Sequence, residues 1–120
     1  MKALIVEPGK APREKDIDSS LEGLQKEVGG YIEALYPYAG PVAIVCNEEG
    51  KLNGLPLNRG LYDEDGDLCD IIAGKFLVVG LGEEDFDSLD SELMQKYTGM
   101  FAVPECFVRI GNDIIAMPIE

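Results

Sequence analysis

The chain has 120 residues, 46% hydrophobic and 28% charged, with 23 acidic residues against ten basic ones for a formal net charge of -13. That length suits one domain with its own core, residues 1–120, standing without metal or disulfide staples. Direct nucleic-acid binding is disfavoured, because counterion release on phosphates needs clustered Lys and Arg.

What is missing narrows the chemistry further. The sequence contains no His and no Trp, which rules out Ser-His-Asp and Cys-His relays and removes the commonest transition-metal ligand. Cys46, Cys69 and Cys106 are odd in number and far apart, with no C-x-x-C pair, so they read as packed thiols in a reducing compartment, not as a metal site. No apolar run approaches the ~20 residues of a membrane-spanning helix. The opening "MKALIVEPGK" has too short an apolar run for a secretory segment. The expectation is a soluble, cytoplasmic protein with no bound metal or cofactor and no membrane or nucleic-acid partner.

In chain order, "KALIVEP" reads as a first, central strand ending at Pro8-Gly9, a turn signal. "REKDID" after Pro12 reads as an edge strand hairpinned to it. Ser19 opens a helix through the capping box "SSLE", with Glu22 reaching back; Leu21, Leu24 and Val28 form its buried stripe, and Gly29-Gly30 stops it. "YIEALYP" (31–37) alternates as a strand, and "PVAIVCN" (41–47) reads as a strand buried on both faces, antiparallel to it across a short connection. "NEEGKL" then reads as a hairpin turn with Gly50 at a positive-φ position.

"DEDGDL" is a second turn, and its spacing invites a calcium-loop reading. With Gly66 at the sixth position, Leu61 falls at the first and Ile72 at the twelfth, neither of which offers the required oxygen ligand. A solvated Asp-Gly turn accounts for it better. Residues 71–82, "IIAGKFLVVGLG", run through the core, with Gly74 marking a bulge or a close backbone approach. A second helix is expected over 88–97, with Leu89, Leu93 and Tyr97 on one face and its acidic residues at the N-terminal, dipole-favoured side. "ECFVRI-GNDI-IAMP" closes the chain as a hairpin turning at Gly111-Asn112-Asp113. The sum is an α+β single domain: six to eight short strands in a mixed or antiparallel sheet, with two helices.

Residues 46–70 hold three Asn, four Gly, a Pro and two of the ten basic residues between clear strand signals. Asn47, Asn53 and Asn58 each offer two amide donors and an acceptor, Lys51 a point charge, and Arg59 a planar fork for a carboxylate, a phosphate or a flat ring. These five are the candidate ligand- or partner-binding residues. The competing structural reading pairs Arg59 internally with Asp63 or Asp65 and leaves the Asn and Gly as turn formers.

The blocks "VEPGK", "EVGGYIEALYP", "NEEGKLNGLPLNR", "DEDGDLCDIIAGKFLVVGLGEEDF" and "SLDSELMQKY" together resemble a family of small bacterial and phage proteins catalogued as a domain of unknown function, number 3846. The resemblance spans almost the whole chain. It implies a cytosolic accessory protein of a conjugative element, plasmid or phage, with no catalytic residues to carry over, and by context one that blunts host defences.

Three functions follow as expectations. The first is a non-enzymatic binding protein holding a small polar, nucleotide-like ligand or a host protein against residues 47–59. The second is an acidic decoy of DNA that binds a nuclease or restriction subunit through the clusters "DEDGDLCD" and "GEEDFDSLDSE". The third is a hydrolase that uses Asp70 and Glu48 as a carboxylate pair.

Overall fold

The computed structural model describes residues 1–119. Its frame is the strand β1 (Lys2–Val6), in which successive side chains enter opposite cores: Ala3 and Ile5 on one side, Leu4 and Val6 on the other. A strand buried on both faces has to lie inside a sheet. β1 does, paired antiparallel with β2 (Arg13–Asp16) on one side. The exposed, charged row of β2 blunts that edge against further pairing.

The helix α1 (Leu21–Val28) begins one residue later than its capping box suggests. Ser20, not Ser19, is the N-cap, and its side chain accepts from the amide of Gly23. The shift takes Leu21 out of the buried stripe to 58% exposure, and Gly23, Leu24 and Val28 are what the helix buries. Gly29 closes it in the left-handed region, at φ 80°.

β3 (Ile32–Leu35) and β4 (Val42–Asn47) are antiparallel neighbours, and β4 is buried along its whole length. Residues 48–54 do not then form a hairpin turn. They coil in successive tight turns, with Asn53 N donating to Glu49 O and Leu55 N to Gly50 O. Gly50 is not among the positive-φ glycines. It is required because a Cβ there would stand 2.7 Å from the carbonyl oxygen of Ala73.

The chain next enters two strands of a separate two-stranded sheet, β5 (Leu57–Tyr62) and β6 (Leu68–Ala73). The apolar run 71–82 is therefore not one strand. It breaks at Gly74, φ 81° and tight against Leu55, and returns as β7 (Phe76–Leu81) in the main sheet. β8 (Phe86–Asp87) is a two-residue pair with the end of β7. Splitting this run, and adding β5 and β8, lifts the strand count to ten.

The second helix, α2 (Ser91–Met100), starts three residues beyond its expected first residue, with Asp90 as N-cap accepting from Leu93 N. β9 (Glu105–Ile110) and β10 (Asp113–Pro118) form the terminal hairpin. All the strand pairings are antiparallel. The main sheet runs β2-β1-β7-β4-β3 with β8 beside β7, and the fold is α+β.

Two cores flank that sheet. α1 covers one face through Leu24 and Val28, against Ala3, Ile5, Ala43, Val45, Leu77 and Val79. α2 and the β5–β6 hairpin cover the other, where Met94, Tyr97, Phe101, Leu61 and Ile72 pack on Leu4, Val6, Ile44, Phe76 and Val78. Burying each large side chain contributes about 1.5–3 kcal/mol before chain entropy is charged against it. Among the described residues no helix is long and apolar enough to cross a membrane.

One polar atom in this core is unsatisfied. The hydroxyl of Tyr97 is fully buried without a hydrogen-bond partner among the described residues, while its ring packs against Tyr38 and Phe101. A desolvated, unpaired hydroxyl costs about 1–3 kcal/mol. Tyr97→Phe is expected to raise stability by about 1 kcal/mol, a melting point higher by about 4 °C. A lower melting point for the variant would mean that the hydroxyl has a partner in solution.

Candidate functional site

The five candidate residues separate into an internal frame and an outer surface. β5 carries an extra residue between Leu57 and Arg59, which align with Ala73 and Ile72 of β6. In a regular strand Asn58 and Arg59 would point to opposite faces; a bulge interrupts that alternation. Both are fully buried.

Arg59 is held by main-chain oxygens, not by carboxylates. Its Nε and Nη2 donate to Phe101 O at 3.2 and 3.0 Å, Nη2 donates to Lys10 O at 2.7 Å, and Nη1 donates to Asn58 Oδ1 at 2.8 Å. The fork therefore ties β5 to the turn after β1 and to the C-cap of α2, where the helix dipole favours a cation. Burial pulls the pKa of Arg59 below its ordinary value, partly countered by Glu105. The pairing with Asp63 or Asp65 does not form. Asp63 Oδ1 accepts instead from the amides of Asp65 and Asp67.

Asn58 completes the frame, its Nδ2 donating to Val6 O and Gly74 O, both at 2.9 Å. Asn47 is equally committed. Its Nδ2 donates to Val28 O at the end of α1, and its Oδ1 accepts from Glu49 N, starting the coil of residues 48–54. Three of the five candidates thus hold the segment in place and do not face outward. The reason is local: a chain that packs bulged polar backbone inside must satisfy it, and Asn and Arg carry the donors.

Lys51 and Asn53 remain at the surface. Lys51 Nζ donates to Asp70 Oδ1 at 2.7 Å, with both side chains about half exposed. An ion pair this wet is worth about 0.2–1 kcal/mol, so a competing group can displace it. Beside it lies a cavity of about 150 Å³ lined by Glu33, Cys46, Glu48, Lys51, Asp70 and neighbouring apolar groups, with the exposed Leu52 among them. It offers three carboxylates to one ammonium.

Glu33, which sequence reasoning passed over, comes from β3 because that strand pairs with β4 beside Cys46. Its exposed place in an alternating strand was the available signal. Burial, followed by the charges of Glu33 and Asp70, pushes the Cys46 thiol up to about 11. Cys46 is therefore a buried thiol and not a thiolate at neutral pH, a poor nucleophile.

Of the two acidic clusters only Asp70 enters this lining. Asp63, Asp65 and Asp67 bring ligand oxygens within 4.8 Å of one another on the exposed β5–β6 turn. That turn shares a hollow with Leu35, Tyr36 and Pro37. The second cluster starts where Leu81 N donates to Pro41 O, so the 36–41 connection lies next to the roots of both.

The family model for Domain of unknown function (DUF3846) matches residues 1–102, which takes in the whole main sheet, both helices and the β5–β6 hairpin. No curated protein and no solved structure matches the chain. The chain belongs to the DUF3846 family.

Proposed function

We propose that this chain is a binding protein, not a catalyst, and that its site is the cavity beside Lys51. The observation that carries this is the composition of the wall: Glu33, Glu48 and Asp70 around a single ammonium already paired with Asp70. With Arg59 withdrawn into the interior, Lys51 is the one cation in the lining of this cavity, so the phosphates of a nucleotide are the poorer match for it. The wall suits a group rich in donors and positively charged. Leu52, 87% exposed, and Leu35 add apolar surface for an aliphatic stem. The ligand of choice is a lysine or arginine side chain of a partner protein.

In this reading the cytoplasmic, mobile-element accessory role is served by capture of a basic host protein. A carboxylate hydrolase is less well supported: Asp70 Oδ1 is occupied by Lys51 and by the amide of Ile71.

Isothermal titration with short Lys- or Arg-containing peptides, set beside nucleotides, tests the proposal. Peptide binding that Asp70→Asn weakens about tenfold, about 1.4 kcal/mol, is expected. Heat from nucleotides and none from peptides would reverse it.

The acidic decoy has its own supporting observation, the approach of both clusters to the 36–41 connection. A decoy complex would weaken steeply with salt and lose affinity when Asp63, Asp65 and Asp67, which lie outside the cavity lining, are changed together to Asn.

A further inference from the structure

The terminal hairpin lies beyond the residues that the family model matches. Cross-strand partners share a face, and residues two apart along a strand do too. The register pairs Val108 with Ile115, Cys106 with Met117 and Ile110 with Asp113. One face of the hairpin therefore carries Cys106, Val108, Ile110, Ile115 and Met117, with Asp113 as its single charge. The bond from Ile119 N to Pro104 O extends the pairing, and alternation adds Ile119 to that face. The other face is partly engaged: Glu105 accepts from Gly60 N and Tyr62 Oη, and Phe107 and Ala116 are half-buried, while Arg109 and Ile114 are exposed.

The apolar face is covered by nothing in the described chain. Val108, Ile110, Ile115 and Met117 are 42%, 58%, 43% and 48% exposed, and Cys106 is exposed as well. A lone hairpin is marginal in water, and a contiguous apolar patch of a few hundred Å² marks an interaction surface.

We infer that this face is the two-fold interface of a homodimer, the β9–β10 sheet of one copy stacking on that of the second. Area is compatible with it: the side chains named leave roughly 400–500 Å² per copy, hence about 800–1,000 Å² for two, at the lower threshold of specific interfaces and in the range of a weak dimer. Charge points the same way. Two copies each carrying a net charge of -13 repel, and they meet at least cost where the surface is nearly uncharged. A basic partner, which the remaining surface would attract, finds one carboxylate here. An identical sheet face matches by shape and polarity, at the ~10 Å separation of stacked sheets. Lys51 borders a groove that the opposite face of the hairpin helps to form, through Arg109 and Ile114.

Light scattering after size exclusion, in buffer salty enough to screen the acidic surface, is the test. The expected mass is twice 13.1 kDa. Val108→Lys and Ile115→Lys, both at exposed positions, should halve it while leaving the circular dichroism unchanged, with the melting point losing its dependence on protein concentration. Maleimide labelling keeps the test valid even if a variant fails to fold. In the wild-type protein Cys106 should label several-fold more slowly as concentration rises, while the exposed Cys69 labels at a constant rate. A monomeric wild type, a dimer indifferent to both lysines, or a Cys106 rate independent of concentration would overturn the inference. So would a monomer that joins a different protein through this face.

Discussion

Arg59→Ala lowers the stability of the folded chain by about 3–5 kcal/mol, enough to move its melting point down by about 15 °C or more. The loss has three sources. Phe101 O and Lys10 O lose their charged donor, Asn58 Oδ1 loses its partner, and a void opens where the largest fully buried side chain stood. Because Phe101 O and Lys10 O are main-chain oxygens, no second substitution removes them, so an apolar side chain of equal volume rescues packing and leaves these two acceptors unpaired. Arg59→Lys should rescue only partly. An ammonium is a point charge and cannot bridge Phe101 O, Lys10 O and Asn58 Oδ1 in one plane. Urea unfolding of the three proteins checks this, and a loss under about 1 kcal/mol for the alanine variant would show the guanidinium to be dispensable.

Asn58→Ala follows with an expected loss of about 2–4 kcal/mol. Its amide satisfies Val6 O and Gly74 O at once, which fixes β1 and the β6–β7 turn to the same bulge. Its Oδ1 is also the side-chain acceptor of the Arg59 fork. The two residues therefore act as a unit, and the double variant should lose about 1–2 kcal/mol less than the sum of the singles. Strict additivity would separate them and leave the bulge without its explanation.

The regular elements were legible for simple reasons. "KALIV" and "VAIVCN" carry the composition of strands buried on both faces, and both lie inside the sheet. Leu24 and Val28 are spaced for a helix, and Gly29 ends it. The bulged strand was not legible. Asn, Arg and Gly in succession score as turn and surface, and a buried Arg is rare enough that exposure is the natural expectation. What overrides that expectation is tertiary: Lys10 and Phe101, some 40 or more residues away in sequence, present carbonyls to one point. Leu57, Leu61 and Tyr62 bracketing Asn58 and Arg59 were the sequence trace of a strand there. Gly50 shows the same limit, since its need comes from Ala73 across the fold, not from its own turn. The terminal hairpin was readable as a shape, while the openness of its apolar face depends on which neighbours the chain supplies.

The central claim divides the two cations of residues 46–70: Arg59 frames the interior and Lys51 marks the site. Nitrogen-proton correlation spectra, recorded during titration with an arginine- or lysine-containing peptide and again with a nucleotide, test it most directly. The account predicts that peptide shifts the amides of Lys51, Asp70 and Ala73, while the Arg59 side-chain Nε resonance stays fixed with either ligand. Movement of the Arg59 Nε resonance on adding nucleotide, with the Lys51 and Asp70 amides unmoved by peptide, would contradict it.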